Sequence, residues 1–336
     1  MGSFTKLLLA RSRAFSKRLG LCVLLFVCLC GIQRAHAAAT LLLEEPYSYD
    51  GAFAGTGHVA VYLSRVCSAS PVILRPCAKD ESGVVVSRYD GIAGYDWIAI
   101  PLIPYLYAVD TAAEIPQSVT PEIVASLRDR YRRAHLADIV PDADGGKTPD
   151  GNWTQLVGSS YDRAIYSFEV ATTEEQDVRL VQMLNERANT GRFNLIFHNC
   201  ADFSRNVLDF YFPRAVHRGF LNDVGIMTPK QAAKTLARYG HRHPGLELTM
   251  LEIPQVPGLA PSKPLRGVVE SFLKSKKYVV PVAALHPLVI GGLAVYYVAE
   301  TFFDGNPPLS KEPSVTPDEI AQRLETGGSG RALSYR

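Results

Sequence analysis

Net charge of either sign is what this 336-residue chain most lacks: 35 lysines and arginines stand against 33 aspartates and glutamates. Even the residual +2 is unevenly placed. The first 37 residues hold six of the basic side chains (Lys6, Arg11, Arg13, Lys17, Arg18 and Arg34) and no acid, which leaves 29 basic against 33 acidic residues in the rest. A protein held to nucleic acid by phosphate neutralisation needs the opposite balance, so that class is excluded. Internal repeats are absent. The 26 glycines and 22 prolines among 47% hydrophobic residues are ordinary globular usage, which excludes a collagen-like or wholly disordered chain. The length allows one large domain or two small ones with a real core.

Cysteine is also scarce, and half of it sits where it will not stay. A basic stretch to Arg18, an apolar run over residues 21–29 and Ala35-His36-Ala37 form the three-part layout of a secretory signal peptide, with cleavage expected after Ala37. Leu29 before Cys30 excludes a lipoprotein cleavage site. The protein is therefore expected to be exported, to the periplasm or cell envelope, and Cys22, Cys28 and Cys30 leave with the leader. Of the three that remain, Cys67 and Cys77 lie between strand-like runs at a spacing compatible with a disulfide, which leaves Cys200 as a free thiol.

Metal-ligand patterns are missing as well. Asp142-Ala143-Asp144-Gly145-Gly146 begins like a calcium loop but has Lys147 at the sixth position and Trp153 at the twelfth, so 138–153 reads as a surface loop. His241 and His243 have no third ligand at a useful spacing. No metal or cofactor is expected.

What is present reads as strands followed by capped helices. His58-Val59-Ala60-Val61-Tyr62-Leu63 alternates, and Val72–Leu74 and Val84–Val86 are short β-branched runs. Residues 92–109 are nearly all apolar or aromatic and read as a buried pair of strands, or alternatively as a wall facing membrane or substrate. Thr120-Pro121-Glu122 opens a helix with Ile123, Leu127 and Tyr131 on its apolar side. Residues 164–170 predict a strand, Thr173-Glu174-Glu175-Gln176 a capping box opening a helix to Asn185, and Asn199 the cap of a helix ended by Pro213. Another helix follows Thr228-Pro229. Residues 246–277 read as a proline-rich linker and basic helix, and 304–336 as a polar tail expected to be disordered. Between them, residues 278–299 carry no formal charge over 22 positions, about 33 Å if helical. Residues 278–303 are thus expected to associate with a membrane, as a transmembrane helix or a re-entrant segment.

Chemistry concentrates at Phe197-His198-Asn199-Cys200-Ala201-Asp202-Phe203. With Asn199 capping, Cys200 falls in the first helical turn, where backbone N–H groups and the helix dipole are expected to lower a thiol's pKa. A cysteine nucleophile needs a base, and among the histidines His58 is the candidate: it opens an apolar strand directly after Gly55-Thr56-Gly57.

The two segments together, Gly57-His58-Val59-Ala60-Val61-Tyr62-Leu63 early and Asn199-Cys200-Ala201-Asp202-Phe203 late, resemble the circularly permuted NlpC/P60 (papain-like) superfamily, in which the histidine strand precedes the cysteine helix. The likeness covers roughly residues 47–212. It implies an α+β fold, a small antiparallel sheet packed on the cysteine helix within a domain over 38–245. It also implies Cys200 as nucleophile, His58 as general base and a polar residue on the next strand that orients the histidine. Arg75, Ser87 and Asp90 lie near that third position, and none is the His, Asn, Gln or Glu expected there. The implied substrates are amides and acyl esters: peptides for many members, lipid acyl groups for the branch resembling lecithin–retinol acyltransferase. The alternatives are an inactive papain-like binding module and a membrane scaffold.

Overall fold

A computed structural model describes residues 37–48, 54–79, 81–219, 223–304, 314–317, 319 and 320. The expected leader thus lies outside the described residues except for Ala37, which opens the first strand.

The chain builds a six-stranded antiparallel sheet in the order β6-β5-β2-β1-β7-β8. Its strands are β1 (Ala37–Glu44), β2 (His58–Leu63), β5 (Val84–Ser87), β6 (Ile98–Pro101), β7 (Ile165–Thr172) and β8 (Thr249–Ile253), while β3 (Val66–Ser70) and β4 (Ile73–Pro76) pair as a separate ribbon. The helices are α1 (Leu102–Tyr107), α2 (Pro121–Tyr131), α3 (Ser159–Asp162), α4 (Glu174–Glu186), α5 (Cys200–Tyr211), α6 (Pro229–Arg242), α7 (Val268–Lys274), α8 (Lys276–Leu285) and α9 (Pro287–Asp304). Cys67 and Cys77 are bonded, tying the start of β3 to the residue after β4.

Both faces of the sheet are covered. On one, Leu41, Leu43, Val59, Val61 and Leu63 pack against Leu180 of α4, Val207 and Leu208 of α5 and Leu236 of α6. On the other, Leu42, Ala60, Val85 and Ile100 meet Tyr105 and Leu106 of α1 with Val124, Leu156 and Tyr161. A strand covered on both sides needs apolar residues at consecutive positions, which is why β1 carries Leu41-Leu42-Leu43 rather than an alternation.

Several expectations are corrected here. The apolar stretch 92–109 is one strand, β6, followed by the helix α1, all six residues of which are buried. It is core, not a wall for membrane or substrate. On α2 the buried positions are Val124 and Tyr131, and Ile123 is exposed. Arg132, a polar residue just past the end of α2, is fully buried, its guanidinium held by Asp129, by Asp142 of the 138–153 loop and by the Val140 carbonyl. The sheet continues past residue 245, because β8 lies within the segment read as a linker and pairs with β7. Residues 254–267 are not a free linker either: Lys263 N–H bonds the Pro46 carbonyl, Arg266 N–H the Gly55 carbonyl, and Ser262 the Glu45 carboxylate. Part of the expected tail is also docked, with Val315 and Ile320 buried and the Val315 N–H on the Glu252 carbonyl of β8. Finally, 278–303 is not one span. It is broken at His286 into α8 and α9, and no described helix is long and apolar enough to cross a membrane.

Candidate active site

Gly57 sets the position of His58. It holds φ +74°, and a Cβ there would stand 2.2 Å from the Glu44 carbonyl oxygen, so β2 can start beside the end of β1 only with glycine. The β1–β2 register then places His58 opposite Glu44.

The His58 ring is fixed on two sides. Tyr89 stacks on it at 5.2 Å between ring centroids and 21° between planes. Ser87, buried at the end of β5, has its Oγ 3.0 Å from Nε2 and donates its one hydroxyl proton to the Val59 carbonyl at 3.0 Å. With that proton on the Val59 carbonyl, the Ser87 oxygen can accept from Nε2–H in the tautomer whose basic lone pair is on Nδ1. Of the three candidates for the third position, the structure brings Ser87 to the histidine. Arg75 instead pairs with Glu81 on the surface, and Asp90 is an exposed residue on the rim of the cleft.

Cys200 begins α5, which lies across β2. The Asn199 side chain accepts from the Ala201 and Asp202 N–H groups at 2.8 and 3.0 Å, and Asp202 reaches back to the Asn199 N–H, a complete capping box. The Phe203 N–H goes to the Asn199 carbonyl. Asn199 is itself anchored by its Nδ2 donating to the Leu195 and Met227 carbonyls, and Arg88 donates to its carbonyl at 3.3 Å. Arg88 is held by Asp96 through two bonds of 2.8 and 2.7 Å, and His198 lies 2.9 Å from the same carboxylate. Burial acts to raise the Asp96 carboxyl, but Arg88 and then His198 outweigh it and hold it below its ordinary value. His198 thus serves the scaffold rather than the thiol.

The electrostatics differ from expectation. Burial pushes the Cys200 thiol up to about 11, against the opposing pull of the backbone N–H groups of Val59, Ala201 and Cys200 itself. Burial, with the nearby Arg163 charge, lowers His58 to about 3. The helix-start effect is present but smaller than desolvation, so at neutral pH the pair rests as thiol and neutral imidazole.

Beneath the site lies a cluster that the sequence reading did not pick out. Glu44 and Arg163 form a buried ion pair at 3.1 Å, and the Tyr105 hydroxyl donates to Glu44. Burial raises the Glu44 carboxyl, opposed by Arg163 and then by Tyr105. An acid closing the apolar run of β1 was the available signal, but its partner lies more than a hundred residues away in sequence.

Cys200 and His58 open into one cleft of about 340 Å³, lined also by Tyr89, Gln155, Phe193, Leu195, Met227 and Val268. The walls are mixed, and the arrangement offers a thiol, an imidazole and helix-start N–H donors. Among the described residues the sole grouping of three possible metal ligands is Cys67, Cys77 and Glu81, whose cysteines are already bonded to each other. Comparison with protein-family models, with curated proteins and with solved structures finds no match to this chain.

Proposed function

We propose that the chain is an exported, membrane-associated cysteine hydrolase or acyltransferase of the permuted papain-like type, acting on an amide or acyl ester through a Cys200 thioacyl intermediate. The observation that carries this reading is the convergence of a capped helix-start cysteine and a Ser87-oriented histidine on one cleft.

The resting pair sets the order of events. Because thiol and imidazole are both neutral, His58 Nδ1 takes the thiol proton as Sγ attacks the carbonyl carbon. The Cys200 N–H, left over when the cap has claimed its neighbours, is the donor nearest the oxyanion that forms. His58 then passes its proton to the departing amine or alkoxide, which leaves a thioester. Water or an alcohol, deprotonated by His58, attacks the thioester carbonyl and releases the acid or the new ester together with the thiol. Cys200→Ala and His58→Ala should each abolish turnover in a screen of acyl amides and esters, and turnover retained by either variant would contradict these assignments.

A second reading, an inactive papain-like module that binds its ligand in the cleft, is favoured by the raised thiol and lowered imidazole. It predicts ligand retention with no acylation of Cys200.

A further inference from the structure

Between Tyr278 and Ala299 the α8–α9 hairpin carries no charged side chain, has one histidine, His286, at its turn, and is largely exposed. Leu285 is 75% exposed and Leu288 91% exposed at its tip, with Val280, Val289, Val295 and Val298 all more than half exposed along its arms. A helix apolar all round is normally surrounded by other apolar matter. At the other end of the hairpin, Lys274, Lys276 and Lys277 are exposed, and residues 275–299 contain no acidic side chain. Lys274 is held by Glu270, while Lys277 lies over the Tyr278 ring.

We propose that this hairpin inserts tip-first into the facing leaflet of an anionic bilayer, with Lys276 and Lys277 at the phosphate level. The proposal deepens the membrane association within the functional reading above and rests on that part of it. The first arm matches the depth of a single leaflet, and the second, 18 residues or about 27 Å, is long enough to return through it. The ten residues of α8 rise about 15 Å, half the hydrocarbon thickness of roughly 30 Å, and the turn at His286-Pro287 then sends the chain back. Both arms are helical, so most of their backbone groups are paired internally, as the bilayer interior favours; Pro281 interrupts the first arm, and at the turn the His286 N–H reaches the Val282 carbonyl while the Val289 and Ile290 N–H groups reach the His286 carbonyl. Glu270 holds Lys274, and Glu300 and Asp304 lie in the last turns of the second arm, but the exposed Lys276 and Lys277 at the base match anionic headgroups, whereas a second copy would bring the same two lysines against them. Docking would also fix the cleft near the lipid surface, because Val268, at the start of α7 leading into the hairpin, lines it.

Flotation of the full chain with phosphatidylcholine vesicles, with and without phosphatidylglycerol, tests this. All variants share the N-terminal apolar run, so differences report the hairpin alone. Leu285→Asp/Leu288→Asp, placed at exposed positions, should cut partitioning by about tenfold or more on both vesicles. Lys276→Glu/Lys277→Glu should cut it by about tenfold or more on the phosphatidylglycerol vesicles alone. Cys200→Ala should float like the wild type, so a failed catalytic assignment and a failed docking site are read separately. In a Cys22→Ser/Cys28→Ser/Cys30→Ser/Cys200→Ala background, which leaves only the bonded Cys67–Cys77 pair, an environment-sensitive fluorophore on Leu288→Cys should be quenched by nitroxides on the acyl chains. Undiminished flotation of the tip variant, a fluorophore that stays in water on bound vesicles, or a tip-dependent dimer that ignores vesicles would each overturn the proposal.

Discussion

At the level of single residues, the site is governed by a competition between the helix start and desolvation, and desolvation prevails. With His58 lowered to about 3 and Cys200 raised to about 11, the reactive protonation state, neutral base and neutral thiol, persists over a wide range. The acid limb falls only where His58 gains a proton and the alkaline limb only where the thiol loses one. The profile of kcat/KM should therefore be flat from about pH 5 to about pH 9. An inflection near the ordinary imidazole value would contradict a desolvated His58. Ser87 does not supply a proton; it keeps Nε2 protonated and the ring in place. Ser87→Ala should leave the fold intact and lower kcat by on the order of tenfold to a hundredfold, and Ser87→Asn, with an acceptor on a longer side chain, should recover part of the loss. An unchanged kcat in Ser87→Ala would remove Ser87 from its positioning role.

At the level of elements, three connections place these residues: the turn into β2, the cap of α5 and the strap of residues 254–267. The turn is the most constrained. Gly57 meets the Glu44 carbonyl and the Leu265 side chain of the strap, and its φ is positive. Gly57→Ala should lower Tm by ~5 °C or more and disturb the His58–Glu44 register; a melting curve that matches wild type would show that the β1–β2 junction can yield. Much at this scale was legible in sequence, for identifiable reasons. β2, the capping box before α4 and the Asn199 cap of α5 are local signals, in which a residue and its partner sit within four positions. The helix α1 was not legible, because Leu102–Tyr107 is apolar at every position and carries neither the 2-residue nor the 3.6-residue period. β8 was hidden by the prolines that follow it. The burial of Arg132 was not legible, because Asp142, one of the carboxylates that permit it, comes from a separate loop.

At the level of the whole molecule, the chain encloses a sheet covered on both faces, and the chemistry lies at one end of it, where β2, β5 and α5 meet. Cys200 and His58, paired in the sequence reading by the family resemblance, line one cleft. The deeper support of the site was not legible, because it is assembled from distant positions: Glu44 from β1, Tyr105 from α1 and Arg163 from the turn before β7. The most direct test of the account is the intact mass of the full chain after brief exposure to an activated acyl ester at neutral pH, with peptide mapping of the modified residue. The account predicts one acyl group, on Cys200, whose formation is abolished in His58→Ala although the thiol remains. No adduct on Cys200, or an adduct that forms equally fast without His58, would contradict it.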